Sequence, residues 1–160
     1  MDSIVIYASR SGNTRKVAEA VAEGLRSRGT ARLVPADEAP AAVPAGTDLV
    51  VVGGPTEAHG MTAPVGRFFD RLGPGALQGT AAAAFDTRLR GPRWLWGSAA
   101  AGIAGRLHRA GARSVAPAES FFVTRAPALE PGEAARAETW AAALADCLAA
   151  GASATAGRAG

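Results

Sequence analysis

Short apolar runs alternate along the chain with stretches whose apolar residues recur at helical spacing. Residues 3–8 (SIVIYA) and 48–53 (DLVVVG) are two such runs, rich in β-formers and almost without polar residues. Runs of this length and composition are typical of strands that are covered on both faces. Between them, apolar residues recur every three or four positions over 14–28 and Gly29 follows, which predicts a helix there.

The rest of the chain continues this alternation. Residues 80–85 (TAAAAF) have a helical composition, but we expect a strand there because the order of elements requires one between two helices. The other predicted elements are a weak strand over 31–35, a helix over 63–72, a helix from Ser98 to Gly111, a strand over 114–124, and a last helix from the segment 130–133 to about Ala149.

This order of elements predicts an α/β fold, a three-layer sandwich in which a five-stranded parallel sheet carries helices on both faces. A single domain over 1–150 is expected, with a disordered tail over 151–160. Ligands of such sheets bind beyond the carboxyl ends of the strands, where the strand order reverses. The loops after the first, third and fourth strands are therefore the candidate binding segments, at residues 9–14, 54–61 and 86–97.

Composition argues against several classes of function. The 17 basic residues outnumber the 14 acidic ones, but they are scattered, so no nucleic-acid partner is expected. No apolar run reaches the roughly 18 residues of a membrane helix, and the N-terminal segment lacks the pattern of an export signal, so we expect a cytoplasmic protein without membrane insertion. Two histidines and the single cysteine, Cys147, provide no metal site, and Cys147 is expected to be buried on the last helix.

The first candidate loop, residues 9–14 (SRSGNT), is rich in hydrogen-bonding groups. Four of its six residues carry a hydroxyl or an amide, and Gly12 allows close approach of the backbone. The loop leads into a predicted helix, whose first N–H groups and dipole favour an anion. A polar turn with an N-cap would explain one of these side chains but not four, so the pattern favours a phosphate site. The motifs of the P-loop and of the dinucleotide-binding turn are absent.

These segments resemble those of the flavodoxin family. SRSGNT is similar to the flavodoxin phosphate loop, VVGGPTEAHGM (51–61) is similar to the second flavodoxin loop, and FDTRLRGPRWLWGSAA (85–100) occupies the place of the third. The resemblance covers residues 3–149 and implies the flavodoxin fold in its short form, with strand order 2-1-3-4-5 and non-covalently bound FMN.

Carried over by position, the resemblance assigns the first loop to the FMN phosphate and the other two loops to the isoalloxazine ring. It implies no catalytic residue in the protein itself. The residues assigned to the cofactor are Ser9, Arg10, Ser11, Gly12, Asn13, Thr14, Pro55, Thr56, Glu57, Ala58, His59, Gly60, Met61, Asp86, Thr87, Arg88, Trp94 and Gly97.

The two ring loops depart from the family pattern. His59 and Met61 stand near the place of an aromatic residue in the second loop, and Trp94 or Trp96 stands where the third loop usually offers a tyrosine. For each tryptophan, contact with the flavin and anchoring of the loop to the sheet are equally expected.

The third loop also carries Arg88, Arg90 and Arg93, which predicts positive charge beside the ring and a less negative second reduction potential.

Three functions are compatible with these features. One is electron transfer between a reductase and an acceptor protein, the second is an FMN-dependent NAD(P)H oxidoreductase acting on a quinone or another small acceptor, and the third is an interaction module that has lost its flavin. We expect a monomer or a weak dimer.

Overall fold

The computed structural model describes residues 1–57, 60–92 and 97–156, with side chains up to residue 151. The strands are β1 (Asp2–Tyr7), β2 (Thr30–Pro35), β3 (Leu49–Pro55), β4 (Ala81–Leu89), β5 (Arg113–Ser114) and β6 (Glu119–Val123). The helices are α1 (Asn13–Arg26), α2 (Ala63–Leu72), α3 (Ala99–Arg109) and α4 (Glu133–Ala156).

All strand pairs of the sheet are parallel, and the order is β2-β1-β3-β4, with β5 and β6 following one another end to end along the outer edge of β4. The predicted order 2-1-3-4-5 is confirmed, except that the last strand is divided into two pieces. The break covers residues 115–118 and contains Pro117, which has no N–H to donate to a sheet ladder.

Helices cover both faces of the sheet, and successive side chains of each central strand enter opposite cores. Ile4 and Val50 lie on one face with Phe68 of α2 and Ile103 of α3. Val5 and Val51 lie on the other face with Val17 of α1 and Leu144 of α4. Burial on both faces explains why these strands read as continuous apolar runs rather than as alternating ones.

The alanine-rich segment is a strand, as predicted from the order of elements. Ala81 to Ala84 are each 2% exposed and lie between the two helical layers. Small side chains let helices approach the sheet from both sides, so tertiary packing overrides the helical preference of alanine.

Two boundaries and the burial of one residue differ from the predictions. β4 continues through Leu89, whereas the sequence predicted a loop from Asp86. The last helix reaches Ala156, well past the predicted end at Ala149, and so covers the first part of the expected disordered tail. Cys147 is exposed, because α4 packs through a stripe that contains Ala141 and Leu144 and leaves Cys147 on its outer side.

Candidate functional site

The described parts of the three candidate segments lie at the carboxyl edge of the sheet, where the chain leaves β1, β3 and β4. β1 lies between β2 and β3 in the sheet. The next strand in the chain, β2, therefore lies on one side of β1, and the strand after it, β3, lies on the other side. The first loop follows β1 at this reversal of strand order and runs directly into α1 at Asn13. The second loop follows β3, which is hydrogen-bonded to β1 on one side and to β4 on the other.

The backbone of the first loop presents a row of unused donors. Within the described residues, the N–H groups of residues 9–14 find no hydrogen-bond acceptor. Gly12 has a left-handed backbone with φ of 86°, and its carbonyl accepts the first helical hydrogen bond from Lys16 N at 3.1 Å. No side chain caps the start of α1. Successive free N–H groups at a helix start form a concave donor site for an anion.

The side chains of this loop hold its shape and add donors. The Asn13 amide donates to Ser11 Oγ at 3.3 Å, and Ser9 Oγ accepts from Arg15 N at 3.3 Å. Asn13 is buried and Ser11 is exposed. A cleft of about 340 Å³ opens beside the loop, with Ser9 and Gly12 on its wall. The loop is therefore accessible from solvent while its donors are held in place.

Thr14 is tied to β4 rather than left open. Its Oγ1 lies 2.7 Å from Oγ1 of Thr87, and the two residues are 2% and 4% exposed. Each hydroxyl can donate one hydrogen bond, and the pair uses one of its two protons internally. The other proton is available to a further acceptor.

Two arginines in and beside the loop, Arg10 and Arg15, are paired with acidic residues. Arg15 Nε donates to Glu19 at 2.9 Å, and this hydrogen bond raises the pKa of the Arg15 guanidinium. Arg10 reaches Glu57 of the second loop at 3.5 Å, with both side chains in contact with water. Exposed pairs of this kind contribute little stability, so the anion preference of the loop comes mainly from its backbone.

The second loop continues β3 and then closes in a tight turn. Thr56 N donates to Thr87 O at 2.9 Å beyond the end of β3 at Pro55. Glu57 and Gly60 exchange two backbone hydrogen bonds, at 3.0 and 2.8 Å. The predicted residues Ala58 and His59 lie outside the described residues.

Met61, which the sequence placed near the flavin ring, packs against α3. Its methyl carbon lies 3.1 Å from the place that a Cβ on Gly102 of α3 would take. Met61 is partly buried and belongs to the core between the sheet and the α2/α3 layer. Its main contact is therefore with the protein.

Three residues predicted to border the ring are strand residues with protein partners. Asp86, Thr87 and Arg88 belong to β4 and are at most 8% exposed. Thr87 pairs with Thr14, Asp86 accepts three hydrogen bonds from protein groups, and Arg88 donates three to protein groups. Because β4 extends through these residues, their side chains point alternately to the two faces of the sheet. The predicted loop from Asp86 onward did not include this alternation.

Asp86 joins the second loop to the end of the third. Its Oδ2 accepts from Thr56 Oγ1 at 3.0 Å, from Ser98 Oγ at 2.7 Å and from Ala100 N at 2.9 Å. Thr56 Oγ1 in turn accepts from Ala99 N at 2.8 Å. Ser98 is the N-cap residue of α3, as predicted, but it makes no side-chain cap, and Asp86 and Thr56 satisfy the first amides of that helix instead.

Arg88 and Arg90 both lie against Phe122 of β6. Arg88 Nε donates to Ser120 Oγ at 3.1 Å, and its guanidinium lies 5.2 Å from the Phe122 ring. Arg90 stacks on the same ring at 4.1 Å and pairs with Glu130 at 2.7 Å, which raises the pKa of Arg90. Arg88 and Arg90 thus have partners on β6 and the segment after it. The expected effect of their charge on the flavin potential stays a prediction.

Two more predicted positions complete the third loop. Gly97 has φ of 71°, a left-handed conformation that admits glycine readily, and it precedes the N-cap of α3. Trp94 and Trp96, like Arg93, lie outside the described residues. The sequence pattern does not predict the Asp86 cluster, because the segment from Asp86 onward is rich in Arg, Pro and Trp and indicates a loop. An acidic residue inside an apolar strand pattern was the available signal.

The donor set of the first loop fits a phosphate monoester. Such a dianion needs several donors, and the six free amides, the Ser11 hydroxyl and the start of α1 supply them. No group of three or more possible metal ligands occurs among the described residues. In that same part of the chain, no helix is long and apolar enough to span a membrane.

Comparison with known proteins agrees with this fold. The sequence model of the flavodoxin family matches residues 5–140. A flavodoxin of Aquifex aeolicus is 44% identical over 89 residues, which cover 52% of this chain and 48% of that protein, so the chain matches about half the length of that relative.

Solved structures extend the likeness to the whole fold. Oxidised flavodoxin 2 of Bacillus cereus has a TM-score of 0.78 at 21% identity, covering 91% of this chain and 99% of that one. A flavodoxin from the domain Archaea has a TM-score of 0.76 at 22% identity, covering 92% and 99%. The family match over most of the chain, together with this fold, shows that the chain belongs to the flavodoxin family, whose members bind FMN.

Proposed function

We propose that this protein carries electrons through an FMN held at the carboxyl edge of the sheet. The observation that carries the proposal is the row of free amides over residues 9–14 at the start of α1. They hold the phosphate, and the second and third loops border the ring. Bound FMN supplies the electron storage, and the protein supplies binding and shielding from water.

Different residues bind the phosphate and hold the second loop beside the ring. Ser11 and the loop amides bind the phosphate, with Asn13 fixing the Ser11 hydroxyl from the buried side. The second loop is held against β4 by the hydrogen bond from Thr56 N to Thr87 O. The reciprocal bonds of Glu57 and Gly60 keep the turn compact beside the ring. In this arrangement no protein side chain acts as an acid or base.

Electron transfer is favoured over direct oxidation of NAD(P)H by the form of the loops. The second loop is a short turn closed at Glu57 and Gly60, and the chain has no recognisable nicotinamide site or long insertion. The exposed edge of a short-loop site suits successive one-electron contacts with a reductase and an acceptor protein. We place the protein in the cytoplasm, as a monomer or weak dimer.

The phosphate site is tested by titrating the protein with FMN and with riboflavin, which lacks the phosphate. Ser11→Asp should lower the affinity for FMN about ten-fold or more, because it places a carboxylate against the phosphate, and should leave riboflavin binding unchanged. Thr139→Asp is the matched control, since Thr139 is exposed on α4 beside the last turn of α1. Equal FMN affinity of Ser11→Asp and wild type would contradict the proposal.

The carrier role is tested with the FMN-loaded protein under anaerobic conditions. We expect slow or no bleaching of the flavin by NAD(P)H alone and rapid bleaching when a flavodoxin reductase is added. Rapid reduction by NAD(P)H alone, followed by turnover with a quinone, would overturn the carrier role in favour of an oxidoreductase.

A further inference from the structure

A buried carboxylate stands where the second and third loops are joined. Asp86 is 0% exposed, and in the described part of the chain none of its contacts is an ion pair. Removing a carboxylate from water is costly unless protein groups replace its hydration. Packing alone therefore does not explain why a carboxylate is buried at this position.

One oxygen of Asp86 is fully used and the other is not. Oδ2 accepts from Thr56 Oγ1, Ser98 Oγ and Ala100 N, all within 3.0 Å. Oδ1 is buried and has no hydrogen-bond partner within the described residues. The charge is stabilised from one side only, by two hydroxyls and the positive end of α3.

The three donors come from two separate segments of the chain. Thr56 belongs to the second loop, while Ser98 and Ala100 follow the third loop and open α3. Thr56 directly follows β3, and Asp86 lies on the neighbouring strand β4, which pairs with β3 up to Pro55 and Thr87. A single carboxylate thus fixes the distance between the two segments that flank the proposed ring site.

We propose that Asp86 is a positioning residue that sets the width of the flavin ring site and lowers the reduction potential of the bound flavin by its buried charge. This inference rests on the proposed function. It concerns the ring and not the phosphate, because the hydrogen bonds of Asp86 within the described residues come from Thr56, Ser98 and Ala100 and not from residues 9–14.

Two substitutions separate the hydrogen bonds of Asp86 from its charge. Asp86→Ala removes both, so FMN and riboflavin should each bind about ten-fold or more weakly, and by the same factor. Asp86→Asn keeps an oxygen at the place of Oδ2 for the three donors and removes the charge. It should keep FMN affinity within about three-fold, and shift the flavin midpoint potential to a more positive value.

Asp70→Asn serves as the control for the charge, and Ser98→Ala serves as a second variant for the hydrogen bonds. Asp70→Asn removes an exposed carboxylate at the far end of α2 and should leave the potential unchanged. If Asp86→Ala does not fold, Ser98→Ala removes one of the three donors and should weaken FMN and riboflavin binding by equal, smaller factors.

Four outcomes would overturn the inference. Unchanged binding by Asp86→Ala, or a loss limited to FMN, would remove the positioning role. An unchanged potential in Asp86→Asn would remove the role of the charge, since a merely structural residue would not move it. Wild-type protein that binds no FMN would overturn the proposed function and the inference together, whereas the first three outcomes leave the proposed function standing.

Discussion

Thr14 Oγ1 and Thr87 Oγ1 lie 2.7 Å apart and join the first turn of α1 to β4 across the interior of the protein. Both side chains are at least 96% buried, so each hydroxyl depends on the other for its hydrogen bond. The pair couples the phosphate loop to the strand that carries Asp86. The two halves of the proposed FMN site are thereby built on one rigid unit.

Breaking this pair should cost stability in a coupled manner. Thr14→Val and Thr87→Val should each lower the free energy of unfolding by about 1–2 kcal/mol, because each leaves a buried hydroxyl without its partner. The double variant should lose less than the sum, with a coupling of about 1 kcal/mol measured by urea unfolding. Thr87→Ser is the control and should stay close to wild type. Strictly additive losses would show that the two hydroxyls do not interact.

The contact between α1 and α4 depends on a glycine. A Cβ on Gly24 would stand 2.2 Å from the Glu138 carbonyl oxygen, a backbone atom that cannot move aside easily. Gly24→Ala should lower the free energy of unfolding by about 1–3 kcal/mol. Gly66→Ala is the matched control in α2, where a Cβ would meet no atom within 4 Å, and it should raise the free energy by about 0.5–1 kcal/mol. A Gly24→Ala protein as stable as wild type would show that the helices separate at little cost.

Glu133 should make the stability depend on pH. Burial pushes the pKa of Glu133 up, but hydrogen bonds from Arg136 and from Phe122 N, with the nearby positive charges, outweigh burial and lower it. A lowered pKa in the folded state means that the stabilisation is complete above the ordinary glutamate pKa and is lost as the pH falls through the folded value.

Glu133→Gln should therefore lose stability at pH 7 and show a weaker decline from about pH 5 downward than wild type. Chemical unfolding at pH values from 3 to 7 measures both curves. Glu138→Gln on the exposed side of α4 should keep the wild-type slope. Parallel curves for Glu133→Gln and wild type would assign the acid sensitivity to other groups.

Arg88 and Arg90 should differ sharply in their contribution to stability, although they stack on the same ring. Arg88 is 8% exposed and donates to Ser120 Oγ and to the Gly91 carbonyl, so Arg88→Gln should cost about 1.5–3 kcal/mol of unfolding free energy. Arg90 pairs with Glu130 in contact with water, so Arg90→Gln should cost less than about 1 kcal/mol. Thermal and urea unfolding of the two variants measure this difference, and equal losses would contradict it.

The sequence by itself predicted the alternation of strands and helices, and its resemblance to the flavodoxin family implied the sheet order, both of which are confirmed. The phosphate role of residues 9–14 stays a prediction. Apolar runs such as residues 3–8 contain too few polar residues for a strand with one face in water. The segment SRSGNT contains more hydrogen-bonding side chains than a plain turn requires. These are local signals, because they depend on the spacing of residues close together in the chain. They also predicted that residues 80–85 form a strand, from the order of elements alone.

Only the tertiary structure decided where β4 ends and what its last residues do. Whether Asp86 begins a loop or remains in a strand depends on pairing with Gly54 of β3 and Ser120 of β6, far away along the chain. The same pairing turns Thr87 toward Thr14, and a hydrogen bond between residues 73 positions apart leaves no trace in local spacing. The exposure of Cys147, which the sequence predicted to be buried, has a similar reason. The face of α4 that is buried depends on how this helix packs against α1 and the sheet. Long-range contacts of this kind are formed by the folded chain, and they fix the geometry of the site whose existence the local pattern had already indicated.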